Sequence, residues 1–232
     1  MVYNWQHLFF PPRCLICGQA GEDELDICGN CRAGLPRIRS SCHCCALPLP
    51  PGSPSGILCG TCASKPPAFS HILAPWLYEA PVDDLIQQLK FQQKLPAGRL
   101  LAQLLAGELR QREAPSLLVP VPLYNTQLKK RGFNHSSEIA RVLSRELSIP
   151  WSPWLLHKVR ETRPQHNLGK RERKQNLRRC FSFDNKDNHR HVAVVDDVVT
   201  TTTTAAEVAK TLQRAGVEKV EVWALARTPM NR

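Results

Sequence analysis

Apolar positions change their rhythm near residue 66. Before it, residues 13–62 show little periodicity, and PLPPGSPSG (48–56) reads as a loop within them. KPPAF (65–69) reads as a linker. Beyond it, apolar runs and apolar repeats alternate. HILAPWLY (71–78) predicts a strand, placed at a sheet edge because Pro75 removes a donor. From Asp83 to about Arg112 the spacing is helical, through Leu85, Ile86 and Leu89 and then Leu100, Leu101, Leu104 and Leu105. Pro96 predicts a division of that stretch into two helices. LLVPVP (117–122) predicts a buried strand, and Asn134 to Leu147 a helix with Ile139, Leu143 and Leu147 four apart. HVAVVDD (191–197) is a continuous apolar run ending in two acids. Ala205–Ala215 follows as a helix with Val208, Ala209 and Leu212 on one face and Gly216 at its C-cap, then VEKVEVWALA (217–226) as another strand. Strand, helix, strand in this order predicts an α/β fold with a parallel sheet and right-handed crossovers.

Length adds a domain count. The 232 residues suit one ordinary domain plus something small. The expected division is residues 1–66 and residues 67–232. A hydrophobic share of 42% excludes wholesale disorder. No apolar run approaches the roughly 18 residues of a membrane span. MVYNWQHLFFPP lacks a basic n-region and a long apolar h-region, so no signal peptide is expected and the reading is a soluble cytoplasmic protein.

Cysteine usage identifies the small part. Nine of the ten cysteines lie in the first 62 residues, and a reducing cytosol disfavours disulfides. They form four CxxC pairs: Cys14 with Cys17, Cys28 with Cys31, Cys42 with Cys45, and Cys59 with Cys62. A CxxC turn points two thiolates at one tetrahedral ion, so four pairs supply two four-cysteine zinc sites. Pairing in sequence, 14/17/28/31 and 42/45/59/62, keeps the loops short; an interleaved cross-brace is the alternative. Disulfides or redox pairs are the other reading of the same residues. Cys44 is spare, His43 a bystander, and Cys180 a small buried residue. Closed four-thiolate sites have no open position for catalysis, so this module is structural, and fifty loop-rich residues need the metal to fold.

Charge identifies a second feature. The chain has 31 Lys+Arg against 20 Asp+Glu, a balance of +11. Residues 123–191 hold sixteen basic and six acidic side chains, which is almost the whole excess. A localised anionic partner follows more naturally than general solubility. A solvated charged face is the plainer alternative.

The chemistry concentrates at Val194-Val195-Asp196-Asp197-Val198-Val199-Thr200-Thr201-Thr202-Thr203-Thr204. Successive amides at a helix start, with the helix dipole behind them, form an anion site suited to a phosphate monoester. The two acids would repel phosphate, so they face ribose hydroxyls or magnesium. Carboxyl ends of parallel strands are where open α/β sheets bind ligands. A Thr-rich turn with the acids as helix caps is the bland alternative.

This stretch resembles the phosphoribosyl pyrophosphate (PRPP) loop of type I phosphoribosyltransferases. The whole chain resembles the competence protein F family, including its GntX-type members. The resemblance runs in order through the CxxC pairs, LKF (89–91), VPVPL (119–123), KKRGFNHS (129–136), RETRPQHNL (160–168), RERKQN (171–176) and VVDDVVTT (194–201). It implies a type I phosphoribosyltransferase fold, a parallel twisted sheet flanked by helices, behind a small Cys-rich double zinc ribbon. It implies that Asp196 and Asp197 hold the ribose hydroxyls and that the amides of Thr200, Thr201, Thr202, Thr203 and Thr204 hold the 5-phosphate, with Val198 and Val199 also in PRPP binding. Pro122, Leu123, Gly132 and Asn134 would complete PRPP binding. Residues 120–126 would form a pyrophosphate loop and residues 158–176 a flexible loop, with Arg131 and Arg160 joining the two acids in catalysis. Three departures stand out: Thr202 replaces the loop glycine, His135 replaces a glutamine after RGFN, and Thr200 stands where purine-salvage transferases carry an acid. A threonine forced to positive φ would cost of order 1–3 kcal/mol.

Two anions compete for the basic segment. Lys129, Lys130, Lys170, Arg171, Arg173 and Lys174 can meet the pyrophosphate of PRPP, with magnesium, and stabilise leaving-group charge during displacement at C1. They can equally track single-stranded DNA, with Phe133, Trp151, Trp154 and Phe181 as candidate stacking rings. The resulting function classes are phosphoribosyl transfer to an unknown acceptor, a DNA-uptake accessory role, and a PRPP sensor without turnover. The zinc module offers a surface for competence or DNA-processing proteins.

Overall fold

The computed structural model describes residues 11–124, 126, 128, 132–161, 177 and 179–229. Two short helices, α1 (Gly29–Ala33) and α2 (Gly60–Ser64), belong to the cysteine-rich part. Then come β1 (His71–Leu73), β2 (Trp76–Leu77), α3 (Val82–Gln92), α4 (Leu95–Leu109), β3 (Leu117–Pro120) and α5 (His135–Leu147). The chain continues through β4 (Leu156–Lys158), β5 (Phe181–Phe183), β6 (His191–Val199), α6 (Thr203–Arg214) and β7 (Lys219–Arg227).

The sheet runs β1-β7-β6-β3, with β2 also paired to β7, and every pairing is parallel. The fold is mixed α/β, as the alternation of runs and repeats predicts. Pro75 splits the first strand into β1 and β2, and both pair with β7, at the edge. Pro96 falls in the first turn of α4 and divides the long helical stretch as expected. α6 starts two residues before the expected Ala205. Gly216, one residue past the Ala215 cap, takes φ 94° and turns the chain toward β7. An antiparallel pair, β4 with β5, stands apart from the main sheet.

Alternate residues of the central strands feed two cores. Ala193 and Val195 of β6 and Trp223 and Leu225 of β7 pack with α3, α4 and α5. Val192 and Val194, with Val220, Val222 and Ala224, pack with α6 and the β4–β5 pair. Each half of the cysteine-rich part joins a different core. Cys14, Ile27, Cys28 and Leu35 sit with the first; Cys42, Cys45, Cys59 and Cys62 sit with the second. Backbone bonds stitch this part over the open sheet edge: Ile38 N to Pro75 O at 2.9 Å, Leu77 N to Pro36 O at 2.8 Å, and Ile72 N to Cys44 O at 2.8 Å. The edge donors and acceptors are thereby covered.

Candidate functional site

β6 carries buried valines to Val195 and then delivers Asp196 and Asp197 at its carboxyl end. Three residues separate the strand from α6. Thr202 is its N-cap and makes no side-chain bond to the first-turn amides; that turn holds no acidic residue. First-turn amides have no acceptor within their own helix, which is why a helix start can present them to an anion. Thr202 has φ −75°. Residues 200–204 include none with positive φ. Threonine at the family's glycine position is therefore unstrained in this conformation. Thr200 is exposed, Thr201–Thr204 are half-buried, and Thr201 Oγ1 donates to Thr203 Oγ1 at 3.2 Å.

The acid pair is held by elements distant in sequence. Lys90 of α3 brings Nζ to 2.9 Å from Asp197 Oδ2, in a largely buried ion pair. His135 Nδ1, at the start of α5, lies 3.9 Å from the same oxygen. Ser136 Oγ donates to Asp196 Oδ1 at 3.3 Å. The carboxylates also brace their own strand end: Asp197 N donates to Asp196 Oδ1 at 2.9 Å, and Val198 N to Asp197 Oδ1 at 2.6 Å. Burial, reinforced by repulsion from Asp197, pushes the Asp196 carboxyl up to about 7. Two adjacent carboxyl groups at a strand end are oxygen donors of the kind that a hard divalent ion such as magnesium would take. Lys90 and Ser136 were not singled out from the sequence, and His135 stood out there only as a departure from the family pattern. LKF and KKRGFNHS carried them as motifs, but only the fold brings α3 and α5 to the end of β6.

The other expected site residues distribute unevenly. Pro122 and Leu123 follow β3 directly and are half-buried. Gly132 turns at φ 82°, and Asn134 caps α5 by accepting from Ser136 N at 3.1 Å while donating to Val121 O at 3.0 Å. Asn134 thus anchors the end of β3 to the helix that touches the acids. Val199 is buried in the core, so it offers backbone rather than side chain to a ligand. Arg160 is exposed just past β4. Lys129, Lys130, Arg131, Lys170, Arg171, Arg173 and Lys174, with most of the expected flexible loop, lie outside the described residues. Among the aromatic candidates, Trp154 is 76% exposed, Phe181 is buried, and Phe133 and Trp151 pack against the core.

The cysteines group as the short-loop pairing predicts: Cys14, Cys17, Cys28 and Cys31 in one set, Cys42, Cys45, Cys59 and Cys62 in the other. Cys44 lies outside both sets, and all ten thiols are free. Cys17 and Cys28 sulfurs are 3.6 Å apart and Cys45 and Cys59 sulfurs 3.7 Å. A zinc tetrahedron with Zn–S near 2.3 Å has edges of about 3.8 Å, so the donor sets fit the ion. The two halves repeat the same knuckle. Gly18 N donates to Cys14 O at 2.9 Å and Ala46 N to Cys42 O at 3.0 Å; Gly18 and Ala46 both take positive φ. Burial pushes Cys14 up, but amides of Cys17, Cys28 and Ile16 outweigh it and bring the thiol down to about 6. Bonding to Cys17 pushes Cys31 up to about 12. One low and one high thiol in a metal-free set means that zinc, which needs thiolates, displaces protons as it binds.

Sheet, cysteine sets and threonine loop together define a mixed α/β protein with an N-terminal double zinc ribbon and two four-cysteine zinc-binding sites. The model of the double zinc ribbon domain matches residues 5–63. The chain belongs to the competence protein F family: it is 34% identical to competence protein F of Haemophilus influenzae, with 94% of this chain and 98% of that protein covered. It is 36% identical to DNA utilization protein YhgH of Salmonella typhi, covering 95% of this chain and 99% of that one. The Escherichia coli K12 protein of the same name is 36% identical, covering 93% and 90%. Among solved structures, the allosteric regulatory enzyme of purine biosynthesis overlaps with a TM-score of 0.38 and 21% identity, over 55% of this chain and a quarter (25%) of that longer one.

Proposed function

We propose that this protein binds PRPP with magnesium at the carboxyl end of β6 and serves DNA uptake or utilisation in the cytoplasm. The carrying observation is the juxtaposition at that strand end. An acid pair, one member neutralised by Lys90, runs into a threonine-lined helix start whose amides lack a side-chain cap. In this reading Asp196 and Asp197 orient the ribose hydroxyls, and the amides and hydroxyls of Thr200–Thr204 hold the 5-phosphate. Pro122, Leu123 and Gly132 border the pyrophosphate, with Asn134 fixing their helix. Magnesium, when bound, would screen pyrophosphate charge; Asp196 and Asp197 are the residues here that would face it. Arg131 and Arg160 are the proposed cationic partners of the leaving group. The relatives' names, DNA utilization protein and competence protein F, support the cellular role. Residues 1–66 act as the zinc module and 67–232 as the PRPP domain.

Calorimetric titration of the zinc-loaded protein with PRPP and magnesium tests the site. Binding is expected for the natural sequence and a loss of about tenfold or more for Asp197→Asn, comparable to removing a charge-assisted ribose contact of about 1.5–3 kcal/mol. No heat and no protection with any magnesium concentration overturns the reading. Pyrophosphate release in the same samples separates transfer from sensing.

A second reading, single-stranded DNA binding, is favoured by the basic excess in residues 123–191 and by the exposed ring of Trp154.

A further inference from the structure

Arg227 ends β7 in register with Val199 of β6, and only 4% of it is exposed. The four hydrogen bonds that its guanidinium donates among the described residues go to backbone carbonyls. Nε donates to Cys45 O at 3.1 Å; Nη1 donates to Val199 O at 2.9 Å, Thr200 O at 2.7 Å and Thr228 O at 2.9 Å. A buried guanidinium needs a counter-charge, and carbonyls do not supply one. Cys45, which accepts from Nε, is one of the four cysteines of the second donor set. A zinc ion with four thiolates has a net charge of −2, so the second zinc site is the counter-ion that this cation faces.

The connection is short. Cys45 is a ligand through its sulfur and an Arg227 acceptor through its carbonyl. The other side of the same guanidinium grips the two residues that open the threonine loop. Among the described residues the first zinc site has no such link; it packs over α3, α4 and α5 on the opposite face of the sheet. We propose that Arg227 is a positioning residue that couples occupancy of the second zinc site to the conformation of the threonine loop. With zinc bound, the fork stays clamped between Cys45 and Val199–Thr200. Without it, the buried charge loses its partner and the loop root is released. The consequence for PRPP affinity rests on the phosphate reading of the loop; the ordering of the loop does not, so the two can fail separately.

Hydrogen exchange of the full-length protein, read on peptides covering residues 199–206, tests the coupling. Zinc content is counted for each sample. Cys59→Ser and Arg227→Met should each speed loop exchange by about tenfold, within the usual range of coupling between sites. Cys31→Ser, in the first site, should leave it within about twofold. The double variant Cys59→Ser with Arg227→Met should exchange no faster than either single change, because both cut one path. Arg227→Lys keeps the charge without the fork and should restore only part of the protection. Equal loosening by Cys31→Ser and Cys59→Ser, or an additive double variant, overturns the proposal. If Arg227→Met does not fold, stepwise chelation of the natural sequence decides: loop exchange must rise with loss of the second zinc and not of the first.

Discussion

Asp196 and Asp197 are neighbours on one strand with different surroundings. Asp197 meets Lys90 at 2.9 Å, whereas Asp196 has Ser136 Oγ at 3.3 Å and stays protonated up to about pH 7. The folded state holds that proton more tightly than the unfolded chain, whose aspartates titrate near 3.9. The sign follows: the group favours folding below pH 4, and this contribution is lost as pH rises toward 7. Asp196→Asn should raise the melting temperature at pH 8, by roughly 2–4 °C for each kcal/mol of relief, and should do less at pH 6. With zinc in excess throughout, calorimetric melts of both proteins check this. Ligand binding should run the other way, because magnesium and ribose contacts need the carboxylate. PRPP affinity should fall below pH 7, and in Asp196→Asn that pH dependence should flatten.

Elements of the α/β part are legible because their packing is periodic. Leu100, Leu101, Leu104 and Leu105 mark α4 before any contact is known, and all four are buried. HVAVVDD marks β6 because both of its faces meet a core. The β4–β5 pair is not legible: its strands are three residues each, too short for an alternation to register. The beginning of α6 is misjudged by two residues, since threonine is a weak helix former and here enters the helix at Thr203. Acids and threonines of the candidate site are legible as types at a strand-to-helix junction. Lys90 is not: a lysine near the end of an amphipathic helix looks solvated until α3 is placed beside β6. Arg227 is hidden the same way, at the end of a strand that otherwise reads as plain core.

At the scale of the whole molecule, the double ribbon is built into the sheet rather than appended to it. Its halves straddle the β1–β2 edge and feed opposite cores, so metal and sheet stabilise each other. Among the described residues no helix is long and apolar enough to cross a membrane. Almost all of the net charge of +11 arises in residues 123–191, which precede the acid pair in the chain. If that segment follows nucleic acid, single-stranded DNA binding should weaken with salt at a log–log slope of about −0.7 per phosphate contacted, and Arg171→Glu with Arg173→Glu should reduce it sharply. Binding indifferent to salt contradicts that role. The central claim, however, concerns the end of β6. A crystal structure of the zinc-loaded protein soaked with PRPP and magnesium tests it most directly. The account predicts the 5-phosphate on the amides of Thr200–Thr204, with the ribose hydroxyls on Asp196 and Asp197. An empty threonine loop at saturating ligand, or PRPP seated elsewhere, contradicts it.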